Sequence, residues 1–287
     1  MSGRTVRGRT LSGADLALIR ALAGQAGQTR RALSRAVCAH LGWTQPNGRP
    51  WDMACRYLLL RLEAQGLLTL PPPRRASVRR GPLALSAAGE PQAPVTAPVG
   101  QLGPLRWAQV EGTPLAQLWN EYLHRYHYLG LGTLVGPQVR YLIAHEGGWL
   151  AAMGFSGAAW KLAPRDRWIG WTPMQRQARL PLVVNQTRYL ILPWVHSPNL
   201  ASHLLALAAR RLVHDWEQKY HRRPLLLETF VDARRYPGTC YRAANWLHLG
   251  SSQGRGKLDR AHTQVLPVKD IFVYPLHRQA REHLRAP

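Results

Sequence analysis

The sequence has 287 residues, 46% of them hydrophobic, and 38 Lys and Arg against 15 Asp and Glu, which gives a formal net charge of +23. This hydrophobic share and 11 tryptophans supply enough apolar surface for a core, so a wholly disordered basic protein is excluded. No stretch approaches the roughly 18 apolar residues of a membrane helix, and the first residues lack a signal-peptide core. We therefore expect a cytoplasmic, nucleoid-associated protein whose partner is DNA.

The first 70 residues predict three short helices. Ser12 and Thr29 are candidate N-caps followed by apolar residues at helical spacing, and a third helix runs from Trp51 to Gly66. With the brief extended segment LLTLPPP behind it, this pattern predicts a winged helix-turn-helix DNA-binding domain over residues 1–70. A small helical interaction module is the alternative. In the winged-helix interpretation three basic side chains would contact DNA: Arg49, Arg56 and Arg61.

Residues 71–100 are rich in Pro, Ala and Gly and lack a hydrophobic period, which predicts a mobile linker. The first 80 residues hold 14 basic and 3 acidic side chains, a net charge of +11, and the remainder holds 24 and 12, a net charge of +12. Positive charge is therefore densest at the N-terminal end. Four arginines of the linker are candidate phosphate contacts: Arg74, Arg75, Arg79 and Arg80.

Residues 101–287 predict a mixed α/β domain. A helix is expected around PLAQLWNEYLHRYHYLG, and the short apolar runs VRYLIAH, WLAAMGF, RYLILPWV and LLLETFV predict strands. The first two strands form a hairpin-like pair, and the amphipathic helix LASHLLALAARRLVHDWEQKYH between the last two predicts a right-handed crossover and a parallel pair. The fold class is thus α+β, a winged-helix-like domain before a mixed sheet of loose acyltransferase-like topology. Acetyl transfer is not the leading activity, because PWVHSPNLASHLL has no Gly-rich turn to bind a pyrophosphate.

Six motifs of this domain occur in a defined order: RDRWIGW, NQTRYLILPWV, DWEQKY, ETFVD, GTCYRAANW and GRGKLDR. As an ordered set, they resemble the Druantia anti-phage defence protein A family over residues of about 100–275. Related domains in that family occur with, or within, transposable elements. The resemblance implies a DNA-directed protein of a defence system or mobile element, with other defence or transposition proteins as partners. It assigns no catalytic residues.

Three acids are candidate catalytic residues and ligands for Mg²⁺ or Mn²⁺. The strand LLLETFVD places Glu228 between apolar neighbours, where a carboxylate must be paired, bind metal or be protonated. On a straight strand Asp232 lies about 13 Å from Glu228, so a shared ion requires the chain to turn before Asp232. Asp166 is the expected third acid. The alternative is a structural ion pair between Glu228 and an arginine.

Two further side chains are candidates for chemistry. Tyr241 follows a Tyr-Pro-Gly turn, and an activated phenol can hold a DNA phosphate covalently. His127 is a candidate general base or stacking surface, although a helix-end histidine packed beside aromatic rings is the commoner explanation. The segment SSQGRGKLDR combines glycines with cations and predicts phosphate contact, with a flexible basic loop as the alternative. Its cations are Arg255, Lys257 and Arg260.

Two functions stay open at this point. The protein is either a DNA-processing enzyme, which nicks or transfers strands with a divalent metal or a tyrosine nucleophile, or a non-catalytic DNA-recognition subunit whose acids are structural. Product formation that is lost when a carboxylate is removed would distinguish the enzyme from the subunit.

Overall fold

A computed structural model describes residues 4–6, 9–44, 48–73, 83–252, 254 and 267–286. The chain divides into two compact units, Met1–Gly81 and Pro82–Pro287, and the buried hydrophobic clusters of one unit share no residue with those of the other. No helix in the described part of the chain is long and apolar enough to cross a membrane.

The first unit contains a hairpin of β1 (Arg4–Val6) and β2 (Arg9–Leu11), followed by helices α1 (Gly13–Ala23), α2 (Arg30–His40) and α3 (Asp52–Ala64). The predicted N-caps are confirmed, since Ser12 forms a capping box with Asp15 and Thr29 accepts from the amide of Ala32. The helices bury a core that includes Ile19, Leu33, Val37, Leu59 and Leu62.

The predicted wing has no counterpart in residues 65–73, which follow α3 without forming a strand. The hairpin of this unit instead precedes α1. The three predicted helices are confirmed, and the winged-helix assignment stays a prediction.

The second unit contains a seven-stranded mixed sheet in the order β3-β4-β5-β6-β7-β9-β8. All neighbouring strands are antiparallel except β6 and β7, which are parallel. The strands are β3 (Arg106–Gln109), β4 (Gln138–His145), β5 (Gly148–Gly157), β6 (Val183–Ile191), β7 (Leu226–Asp232), β8 (Leu247–Ser251) and β9 (Lys269–Pro275). The helices are α4 (Leu115–Tyr126), α5 (Ala163–Ile169), α6 (Pro173–Arg179), α7 (Leu200–Tyr220), α8 (Thr239–Ala243) and α9 (Ala280–Arg285).

The strands predicted from VRYLIAH, WLAAMGF and LLLETFV are confirmed as β4, β5 and β7, and the two predicted helices as α4 and α7. The strand predicted at RYLILPWV overlaps β6 only at residues 188–191, because β6 begins earlier, at Val183. The β4–β5 hairpin and the parallel pair joined by α7 are also present. Most residues of β5 and β7 are buried on both faces, which explains the apolar runs in their sequences.

The linker prediction is wrong for residues 83–100, which pack on the second unit. The amide and hydroxyl of Ser86 each donate to the buried carboxylate of Glu121 over 2.8 Å, and Tyr126 Oη donates to the carbonyl of Gly89 over 2.9 Å. Val95 forms a parallel bridge with Val195. A Pro-rich segment without periodicity is ordered here because its backbone groups pair with the domain beside it.

A chain that begins at residue 83 is expected to unfold cooperatively, whereas one that begins at residue 101 should melt roughly 10 °C lower. The second truncation leaves the buried Glu121 with Arg125 alone, because both bonds from Ser86 are lost. Thermal unfolding followed by circular dichroism measures the difference. Equal melting temperatures would show that residues 83–100 contribute nothing to the fold.

Candidate functional site

The candidate site is a cleft between β6 and β7. These parallel strands pair only from Val183 and Leu226 to Gln186 and Thr229, and then separate. At the same point β6 has a bulge at Thr187, because Arg188 pairs with Gly154 while Gln186 pairs with Phe155 on β5. A bulge bends its strand and increases the local twist. Beyond it, β6 continues to pair with β5 while β7 continues with β9, so a gap opens between them.

The cleft has a volume of about 380 Å³, within the range of small-molecule sites. It lies towards the carboxyl ends of the two parallel strands, where α/β sheets commonly bind ligands. Its walls come from residues 126–129 after α4, 186–187 and 189–191 of β6, Ala201 of α7, 229–231 of β7 and 236–241 around the start of α8. At Gly238, with φ +71°, a Cβ would lie 2.6 Å from the Phe272 ring, so only glycine allows this wall to pack so closely.

Among the residues that the structure describes, no Asp, Glu, Lys or Arg lines the cleft. Burial, reinforced by the Arg188 guanidinium, lowers the pKa of His127 to about 4, so this imidazole is neutral at pH 7. Burial also raises the pKa values of Tyr189 and Tyr241, so both phenols stay protonated. The interior of the cleft is therefore uncharged at neutral pH.

Two of the five predicted catalytic residues line the cleft. The Tyr241 ring stacks on Phe272 at a centroid distance of 5.5 Å, and its hydroxyl donates to Gln186 Oε1 over 3.0 Å. His127 stacks on Tyr128 at 5.0 Å, and its Nδ1 accepts from the amide of Leu129 over 3.1 Å. A buried phenol with a raised pKa is poorly suited to nucleophilic attack, because no neighbouring group in the described residues takes up its proton.

Glu228 lies outside the cleft in a buried ion pair. Its Oε2 lies 2.6 Å from Nη1 of the fully buried Arg165, and its Oε1 accepts from the amide of Ala159 over 2.7 Å. Burial raises the pKa of Glu228, and the charge of Arg165 opposes that shift. The structural alternative for Glu228 fits these contacts, since both carboxylate oxygens have partners.

Asp166 belongs to the same network. Its Oδ1 accepts from Arg165 Nε and Nη2 over 3.0 and 2.7 Å and from Trp171 Nε1 over 3.1 Å, and its Oδ2 accepts from the amide of Leu162. The two predicted acids are thus brought together, with the Arg165 guanidinium between them. This arrangement ties β7 to the segment that follows β5.

Asp232 does not join them. Strand β7 continues to Asp232, which pairs with Lys269 of β9. The chain turns only after Asp232, where the amides of Arg235 and Tyr236 donate to its carbonyl oxygen. The turn required for a metal ion shared by Glu228 and Asp232 is therefore absent, and about 13 Å separates the two positions. In the described part of the chain, no three or more His, Cys, Asp or Glu side chains are grouped to hold a metal ion.

The predicted DNA-contacting arginines of the first unit have different surroundings. Arg61 is exposed on α3, and Arg56 forms an ion pair with Asp52 of the same helix. Arg49 lines a surface cavity with Arg31, Arg35 and Asp52. The remaining predicted phosphate contacts lie outside the described residues: Arg74, Arg75, Arg79, Arg80, Arg255, Lys257 and Arg260.

Sequence reasoning did not identify Gln186, Tyr189 or Tyr236 as site residues. Gln186 is almost fully buried, and its Nε2 has no hydrogen-bond partner in the described structure. The available signal was the polar run Asn-Gln-Thr-Arg between the apolar ends of strand β6, at the position where the bulge occurs.

The seven-stranded sheet and its helices make the second unit a mixed α/β domain. Its structural neighbours are acetyltransferases. The aminoglycoside acetyltransferase AAC(6')-Ib in complex with coenzyme A is 17% identical, matches 64% of this chain and 100% of its own, and has a TM-score of 0.40. A GNAT-family acetyltransferase from Streptococcus pneumoniae is 14% identical, matches 61% of this chain and 100% of its own, and also has a TM-score of 0.40. No curated protein matches the sequence.

The family described as Druantia protein DruA matches residues 74–266, which is more than half of the chain. The protein therefore belongs to this family of the Druantia anti-phage defence system. The match confirms the resemblance that the six ordered motifs indicated.

We expect Glu228→Gln to lower the free energy of unfolding by about 3–5 kcal/mol, because the amide leaves the buried Arg165 without its counter-charge. Glu217→Gln is the matched control, since Glu217 pairs with Arg223 at the surface and its loss should cost less than about 1 kcal/mol. Urea unfolding measures both values. A Glu228→Gln protein as stable as the wild type would refute the structural role.

His127 makes the fold sensitive to acid. Its pKa is about 4 in the folded state and about 6.5 in an unfolded chain, so the unfolded state binds the proton more readily. Stability from this group is complete above pH 6.5 and decreases as the pH falls towards 4, by roughly 3 kcal/mol. His127→Asn, whose side-chain oxygen can replace Nδ1, should remove this part of the pH dependence, and substitution of the exposed His124 should not. Urea unfolding over this pH range tests the expectation; unchanged pH profiles in both variants would contradict it.

Proposed function

We propose that the protein binds DNA as a recognition component of an anti-phage defence system and does not itself cut the strand. The observation that carries this proposal is the charge of the first unit. Its 14 basic residues face only three carboxylates, and each carboxylate has a partner within the unit. Asp15 pairs with His40, Asp52 with Arg56, and Glu63 accepts from the amide of Leu70.

Several of these cations stay without a counter-charge. No carboxylate in the described residues lies within ion-pair distance of Arg31, Arg35 or Arg61, and all three side chains are exposed. A surface of this kind attracts the phosphates of DNA and releases their counterions. The basic segments 74–80, at the end of the first unit, and 255–260, in the second, extend the same proposal to further phosphate contacts.

Helix α3 is the element that we assign to the major groove, as in a winged helix. It exposes Met53 and Tyr57 on one face, one helical turn apart, with Arg61 one turn further on. Apolar side chains contact thymine methyl groups, and arginines contact guanine or phosphates, so this face combines the groups that base recognition uses.

Recognition is favoured over strand cleavage by the state of the three acids. Glu228 and Asp166 are saturated by Arg165 and backbone amides, and Asp232 accepts from the amide of Arg234 beside two cationic side chains. A divalent ion would have to displace these partners before it could act on a phosphate. Incubation of the protein with single-stranded or duplex DNA and Mg²⁺ or Mn²⁺ should therefore leave the DNA intact, and products that disappear in Glu228→Gln would support the enzyme instead.

Acetyl transfer is not proposed, because the residues before α7 do not suit coenzyme A. In segment 192–199, Pro193 and Pro198 have no amide hydrogen. The amides of three other residues in the segment, Leu192, Val195 and His196, already donate to backbone carbonyls. Few donors are left to bind a pyrophosphate at this helix start.

Duplex affinity is expected to fall steeply with salt, and Arg35→Gln or Arg61→Gln should each reduce the slope of log affinity against log salt by about 0.9. Arg223→Gln is the control, because its guanidinium already pairs with Glu217. Fluorescence anisotropy with a labelled duplex at several salt concentrations measures the slope. A flat salt dependence, or equal slopes for all three variants, would contradict the proposal.

A further inference from the structure

Aromatic side chains line the cleft and its solvent-exposed entrance. Tyr128 and Tyr236 lie in edge contact at a centroid distance of 5.5 Å, and His127 stacks on the other side of this pair, against Tyr128. Tyr236 is 49% exposed although it lines the cleft, so its ring forms part of the entrance. Flat rings around an apolar gap of this size suit a planar ligand.

Two hydrogen-bond donors among the lining residues have no acceptor in the described structure. Gln186 uses Oε1 to accept from Tyr241, and its Nε2 has no partner although the residue is only 3% exposed. The Nδ1 of neutral His127 accepts from Leu129, so the proton of this ring is on Nε2. An unpaired buried donor such as Gln186 Nε2 is costly, and a ligand with acceptors on its edge would remove that cost.

Among the described residues, a charged side chain lies at the edge of the cleft. The Arg235 guanidinium lies 5.4 Å from the centre of the Tyr128 ring and is largely exposed. Its ion pair with Asp232 is long, 3.9 Å, so the guanidinium has donors left for an anion. This arrangement fits a ligand whose flat, uncharged part lies inside the cleft and whose anionic part lies at the solvent-exposed edge.

We propose that the cleft binds a nucleobase, with its phosphate near Arg235. The bases are planar and uncharged, present ring nitrogens and carbonyl oxygens as acceptors, and carry their phosphate at one end. Stacking on aromatic side chains is the usual way in which proteins hold an unpaired base. This inference rests on the proposed function, because a DNA-binding protein can take up a base that is extruded from the duplex. A free nucleotide is the other ligand with the same chemistry.

The test uses the full chain and three probes: a fully paired duplex, the same duplex with one unpaired 2-aminopurine, and free AMP. We expect the wild type to bind the duplex with the unpaired base about tenfold more tightly than the paired duplex, with quenching of the 2-aminopurine fluorescence by stacking. Tyr236→Ala should lose this preference and the quenching while keeping its affinity for the paired duplex. Tyr236→Phe should retain both, because it keeps the ring.

Trp160→Ala is the matched control, since it removes another exposed aromatic ring that lies outside the cleft. Equal binding of the two duplexes without quenching, together with no AMP binding, overturns the base site even if salt-dependent duplex binding persists. Binding of AMP that depends on Tyr236, without binding of either duplex, supports the base site with a free nucleotide as its ligand and removes the proposed DNA function. The two proposals therefore fail separately.

Discussion

The separation of β6 and β7 is the constraint on which the second unit depends. Each strand keeps its outer partner along its whole length, β5 for one and β9 for the other, so the gap between them leaves half of their backbone hydrogen bonds intact. The first four residue pairs hold the two strands together, and the bulge at Thr187 marks where they part. A cavity forms inside a continuous sheet because the loss of pairing is confined to one side of each strand.

The buried charges stabilise the closed part of this pair. Glu228 lies opposite Asn185 within the paired region, and its ion pair with Arg165 joins β7 to the chain that follows β5. Burying an ion pair costs little free energy only when its oxygens and nitrogens all have hydrogen-bond partners. Here the amide of Ala159 donates to Glu228, and the carbonyl of Ala159 accepts from Arg165. Among the described residues, Glu228 and Asp166 thus belong to a buried ion-pair network, and no acidic side chain lines the cleft beside it.

The amino-acid sequence predicts those helices and strands that depend on the local pattern of apolar and capping residues. The central strands were identifiable because continuous apolar runs are typical of strands covered on both faces, and Ser12 and Thr29 identified helix starts. The edge strands β3 and β8 were missed because they are short and partly exposed, without such a run. The partner of Glu228 lies 63 residues away, and the cleft arises from the register between two strands, so neither follows from spacing along the chain. The alternative of a structural Glu–Arg pair was predictable in kind, whereas the identity of Arg165 required the fold.

The bulge at Thr187 also limits how this sequence can evolve. Side chains alternate between the faces of a strand, so the insertion of one residue between Gln186 and Arg188, on an unchanged backbone, would turn every later residue of β6 to the opposite face. Arg188 would then occupy the position of Tyr189, and a charged group would replace an aromatic ring at the cleft. Side chains around the cavity can be exchanged without a change of register, but the number of residues between Gln186 and Ile191 decides which of them face the cleft.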